Sequence, residues 1–155
     1  MDIKQILQSQ YLAAFAMFKQ AIDRCPTEAW DNPKDKDRFW FVAYHTFRYA
    51  HQYLKARGKG YPHWEQRLHS NPGKPFSKEE VLERLAMVER DVVEQISIMD
   101  LNEKTGATGH LANKLELQIY NIRHIQQHTG ELYQRLSDYP VKLGWASQRY
   151  KKEQE

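Results

Sequence analysis

Cysteine is nearly absent: Cys25 stands alone among 155 residues, so no internal disulfide can form and a thiolate-rich zinc site is excluded. Any metal must be held by nitrogen and oxygen. Long apolar runs are missing too. No stretch approaches the roughly 20 residues needed to cross a bilayer, and the opening Met1-Asp2-Ile3-Lys4-Gln5-Ile6-Leu7-Gln8 lacks the basic-then-apolar order of a signal peptide. These absences lead to the expectation of a cytoplasmic protein with no membrane partner. A concentrated charge of one sign is also lacking. The chain has 23 basic and 20 acidic residues, a formal net charge of +3, with the signs interspersed apart from a small basic cluster at Arg149, Lys151 and Lys152. Nucleic-acid surfaces need a basic face or stripe, so no nucleic-acid partner is expected.

What remains is a globular mixture, 41% hydrophobic and 28% charged, at a length that suits one domain spanning 1–155 with a continuous core. Helical periodicity dominates it. Ile3, Ile6, Leu7, Tyr11, Ala14, Phe18 and Ile22 follow the three-to-four-residue step of one helix face, so the first helix runs from Asp2 to about Arg24, and Cys25-Pro26-Thr27 stops it. A second helix is expected from Asp35 or Asp37, either of which can cap it, through the aromatic run at Phe39-Trp40-Phe41 to about Arg57.

Residues 58 to 76 hold Gly58, Gly60, Pro62, Asn71-Pro72-Gly73 and Pro75, and so form a long loop between helices two and three, suited to lie over a pocket. Such a loop can travel the length of a bundle, which frees helices two and three from being antiparallel neighbours. Ser77-Lys78-Glu79-Glu80 fits a capping box. Helix three follows, with Val81, Leu85, Val88, Val92, Ile96 and Met99 on its apolar face, up to the turn at Lys104 to Gly109. Helix four is expected from about His110 to Asp138, with Leu111, Leu115, Ile119, Ile122, Ile125, Leu132 and Leu136 inward, closed by Pro140. Trp145 is expected to dock. The fold class is therefore all-α, a four-helix bundle.

Seven histidines occur. His63 and His69 fall in the long loop, His51 and His110 near helix ends, and these four are expected at the surface. His124 and His128 are four apart on helix four, hence on one face, one turn above the other, where two imidazoles can hold one metal. A third ligand must come from elsewhere. His45 is the candidate because it lies amid Phe41, Val42 and Tyr49, where a charged imidazole is costly and a metal-bound neutral one is not. Three histidines with an open position is a set zinc uses for chemistry, and nickel, iron, cobalt and copper also accept imidazole. The plainer reading stays open: such pairs arise by chance, and a helix-two histidine can simply hydrogen-bond its neighbour.

The stretches Val42-Ala43-Tyr44-His45-Thr46 and His124-Ile125-Gln126-Gln127-His128-Thr129-Gly130-Glu131-Leu132 resemble the DinB/YfiT-like superfamily, and the helix order agrees along nearly the whole chain. The resemblance implies an up-down-down-up bundle, a divalent metal, zinc or nickel foremost, on His45, His124 and His128, and a homodimer. It also implies a thiol-dependent transferase, isomerase or hydrolase type of activity, in which the metal activates a low-molecular-weight thiol or a water against a small-molecule substrate. The alternative is a non-catalytic metal-binding bundle acting through protein partners. Glu131 is expected to face solvent, Gly130 to reflect close helix packing, and Cys25 to be a small structural residue.

Overall fold

The structure, a computed structural model, describes residues 2–54, 74–105 and 111–149. Among the described residues all regular elements are helices: α1 (Ile3–Arg24), α2 (Thr27–Trp30), α3 (Phe39–Leu54), α4 (Lys78–Ile98) and α5 (Lys114–Arg135). The chain is all-α over this extent.

Local chemistry sets the ends. The Asp2 carboxylate accepts the Lys4 amide at 3.0 Å and starts α1, supplying one of the acceptors a helix N-terminus lacks. Cys25, extended before Pro26, ends it. The expected polar linker holds instead the one-turn α2, too short to show periodicity in sequence, which buries Ala29 and Trp30. The next helix starts at Phe39, a little beyond the expected aspartates, with the Val42 amide bonded to the Arg38 carbonyl at 3.0 Å. The Ser77 capping box forms in full: Ser77 Oγ accepts the Glu80 amide at 3.1 Å and Glu80 Oε2 accepts the Ser77 amide at 2.8 Å.

Two ends differ from expectation. α4 stops at Ile98, short of the Lys104–Gly109 turn, because Asp100 builds a turn of its own, its carboxylate accepting the Asn102 amide at 3.0 Å and its carbonyl the Glu103 amide at 3.3 Å. α5 starts at Lys114, not near His110, because Asn113 caps it through the Glu116 amide at 3.0 Å. Of the long loop, only 74–76 falls within the described residues, and its placement over a pocket lies outside them.

Packing joins α1 to α4 and α5, and α3 to the same two, with α2 against α3. Tyr11, Phe15, Phe18, Phe39, Phe47, Ile125 and Leu132 are fully enclosed in the shared core, each large side chain worth roughly 1.5–3 kcal/mol of burial. On α5 the expected Ile125, Leu132 and Leu136 are buried and Leu115 and Ile122 pack against the core, but Ile119 is 48% exposed, while Gln118 and Asn121 are buried. Those amides have main-chain partners on α3. Gln118 Nε2 donates to the Tyr53 carbonyl at 3.1 Å, Asn121 Nδ2 to the Ala50 carbonyl at 2.8 Å, and Tyr11 donates to Gln118 Oε1 at 2.6 Å. Each amide donates to a main-chain carbonyl, which ties α5 to the end of α3, while Asn121 Oδ1 is buried without a hydrogen-bond partner.

Trp145 does not dock; it is 78% exposed. The segment carrying it is held by polar bonds: Gly144 N donates to Gln20 Oε1 at 2.9 Å, Tyr133 donates to the Gly144 carbonyl at 3.0 Å, and Arg149 N donates to Ser9 Oγ at 3.1 Å. The main chain is fixed without needing the indole.

Candidate metal centre

His45 sits in the middle of α3, His124 at the middle of α5 and His128 one turn beyond it. Because the two helices pack together, the rings meet. Their centroids lie 5.6 Å (His45–His124), 5.0 Å (His45–His128) and 4.7 Å (His124–His128) apart. One nitrogen from each lies within 4.8 Å of the other two. A tetrahedral ion with bonds of about 2.0–2.1 Å spaces its nitrogens about 3.3 Å apart, a contraction within reach of side-chain rotation.

Burial makes the donors ready. Desolvation, reinforced by the neighbouring imidazoles of His128 and His45, lowers the pKa of His124 to about 4. Desolvation, then the charges of His128 and Arg48, lowers that of His45, against smaller opposing effects of Glu131 and Asp37. Both rings are neutral at pH 7, the form that coordinates. His124 Nδ1 is buried and has no hydrogen-bond partner, a cost of about 1–3 kcal/mol for an unsatisfied group that a bound cation in the cluster relieves if this nitrogen is the ligand. Three borderline nitrogen donors fit a zinc- or nickel-type ion, so the residues present fit the group.

The walls differ on the two sides. Tyr49 lies 4.6 Å from the His45 ring centroid and 6.0 Å from that of His124, and Tyr53 and Tyr120 continue the aromatic side. An open cleft of about 400 Å³ is lined there by Tyr120, Arg123, His124, Gln126 and Gln127. On the other side Glu131, expected to face solvent, is half-buried, with Oε2 3.0 Å from His128 Nδ1. Burial alone would raise its pKa, but hydrogen bonds and charge from His128 and Arg135 outweigh that and lower it. The three-residue step from His128 to Glu131 was the sequence signal for this contact.

Other expectations fare differently. His51 is not a surface residue: it is 1% exposed, with Nε2 2.7 Å from Asp91 Oδ2 on α4. His63, His69 and His110 lie outside the described residues. Gly130 is exposed with no heavy atom within 4 Å of where a Cβ would stand, so close packing is not its reason. Cys25 is buried, which pushes its thiol up to about 12 and leaves it inert, as a structural residue should be.

No family model matches the chain, and no curated protein and no solved structure matches it either.

Proposed function

We propose that this protein is a divalent-metal-binding four-helix bundle of the DinB/YfiT-like kind, with His45, His124 and His128 as ligands. The observation that carries the reading is the convergence of three imidazoles, two held neutral by burial, at the edge of an open cleft.

The up-down-down-up order is part of the proposal, and cross-links between helices support it. Tyr11 meets Gln118 and Met17 meets Gln126, so α1 and α5 run the same way. Lys4 and Gln8 reach Ser97 and Val93 while Lys78 reaches the Cys25 carbonyl, giving α4 the opposite sense to α1. Asn121 bonds to Ala50, and Arg135 to Asp37, so α3 opposes α5.

The activity proposed is that of a transferase or hydrolase acting on a small molecule. A metal at such a site lowers the pKa of a bound thiol or water and supplies a nucleophile at neutral pH. This chain's contribution is to hold three imidazole donors on two packed helices, to wall one side with Tyr49, Tyr53 and Tyr120, and to leave the cleft beside His124 open to a substrate. A homodimer is proposed with it. Zinc and nickel titration of untagged protein, followed by a screen of small thiols with electrophiles, tests the reading; a chain that takes up neither metal overturns it.

A further inference from the structure

The nitrogen of an imidazole that does not bind a metal governs how well the other one does, by fixing the tautomer and the ring's orientation. His128 Nδ1 has a carboxylate oxygen, Glu131 Oε2, at 3.0 Å. An ionised carboxylate only accepts hydrogen bonds, so Nδ1 carries the proton, and in the neutral ring that leaves the lone pair on Nε2. A histidine–glutamate contact one turn apart on a helix is weak when it stands alone. Here it does not. Glu131 Oε1 accepts from Arg135 Nη2, and Arg135 Nη1 donates to the Asp37 carbonyl and lies 3.6 Å from the Asp35 carboxylate. Asp37 belongs to the strand of chain that leads into α3, the helix bearing His45. The series His128, Glu131, Arg135, Asp37 thus starts at one proposed ligand on α5 and returns to the helix that carries another. Each oxygen of Glu131 accepts a hydrogen bond on α5, and Glu131 is not among the residues whose ligand atoms converge.

We infer that Glu131 is a positioning residue that holds His128 with Nε2 toward His45 and His124, and that Arg135, anchored on the Asp37 carbonyl, holds Glu131. The inference rests on the three-histidine reading for its purpose, and on the hydrogen bonds alone for its geometry. Without Glu131 the proton divides between the two ring nitrogens, and the fraction on Nε2 cannot coordinate.

The test compares the full untagged chain with Glu131→Ala, Glu131→Gln and Arg135→Ala, using the exposed Glu94→Gln on α4 as control, with circular dichroism on every sample. The first measurement is the His128 tautomer in metal-free protein by ¹⁵N NMR near pH 8, above the ordinary imidazole pKa of about 6.5. The second is a Co²⁺ competition titration followed by visible absorbance. Expected are a protonated Nδ1 in the wild type, a mixed tautomer in Glu131→Ala, and a loss of about 10- to 100-fold in Co²⁺ affinity. Glu131→Gln should fall between, because its amide oxygen can still accept from Nδ1, Arg135→Ala should show part of the loss, and Glu94→Gln should match the wild type. An unchanged tautomer in Glu131→Ala overturns the inference, and so does an unchanged affinity. A wild type that takes up no Co²⁺ overturns the metal reading instead, and the tautomer comparison then decides by itself whether Glu131 positions His128.

Discussion

His45 and His128 meet edge to face across the α3–α5 contact, their ring centroids 5.0 Å apart and their planes inclined at 77°. His124 approaches His128 in the same manner, at 85°. One nitrogen from each of the three rings lies within 4.8 Å of the other two.

Removing one imidazole should therefore abolish tight metal binding without unfolding the chain. His45→Ala, His124→Ala and His128→Ala are each expected to lose high-affinity Zn²⁺ uptake while keeping their helical circular dichroism, because the core is continuous without an ion and zinc-finger-like dependence is not called for. His63→Ala and His69→Ala serve as comparators. Equal affinities across all five variants and the wild type would remove the site.

Acid should destabilise the metal-free protein in a defined window. Unfolded, His45 and His124 titrate near pH 6.5; folded, His124 titrates at about 4 and His45 is also lowered. Below about pH 6.5 the unfolded chain takes up protons that the folded chain refuses. The associated stability is complete above that pH and declines as pH falls toward 4. Urea midpoints from about pH 7 to pH 4.5 measure it, and His124→Gln should flatten the decline. A variant as acid-sensitive as the wild type would contradict the assignment.

Gly130→Ala should stabilise the fold. The position is helical, exposed and open on all sides for a Cβ, so only the entropic penalty of glycine is removed, about 0.5–1 kcal/mol. Chemical denaturation reads it, and a destabilised variant would show that the open space there is needed.

Ser77→Ala should cost about 0.5–2 kcal/mol in chemical denaturation, since it removes the hydroxyl that accepts the Glu80 amide while keeping the Ser77 amide that donates to Glu80 Oε2. Ser77→Asp should recover most of it, because aspartate caps as well as serine.

Sedimentation across micromolar concentrations is expected to show a dimer. Most large apolar residues of α1 and α3 are buried, and those left exposed there are Ile3 and Phe41. Ile98 and Trp145 offer the more exposed apolar surface. A monomer throughout the range would remove the homodimer.

The readable parts of this fold were those set by a few neighbouring residues. Ser77 announced its cap, and the same-face pair His124 and His128 announced two members of the histidine cluster. Asn113 with Glu116, three residues apart, carries the same kind of signal a little beyond the apolar Leu111. Long-range partners were not readable. Gln118 and Asn121 look like surface residues until main-chain carbonyls of α3 face them, and once they take the inside, Ile119 is turned outward. His51 needed Asp91, and Glu131 needed Arg135 and the Asp37 carbonyl. Each of these depends on which helix lies opposite, which periodicity does not state.

The two amides that bond α5 to α3 also act as an index between the helices. One turn of an α-helix is about 5.4 Å, so a slip of a single turn would carry His124 and His128 past His45 by more than their nitrogens' present separation. Gln118 and Asn121 forbid that slip, because it would leave buried amides and carbonyls without partners. A mutation at Asn121 can thus erase the histidine cluster while every histidine remains, and a survey of histidines alone would not foresee the loss.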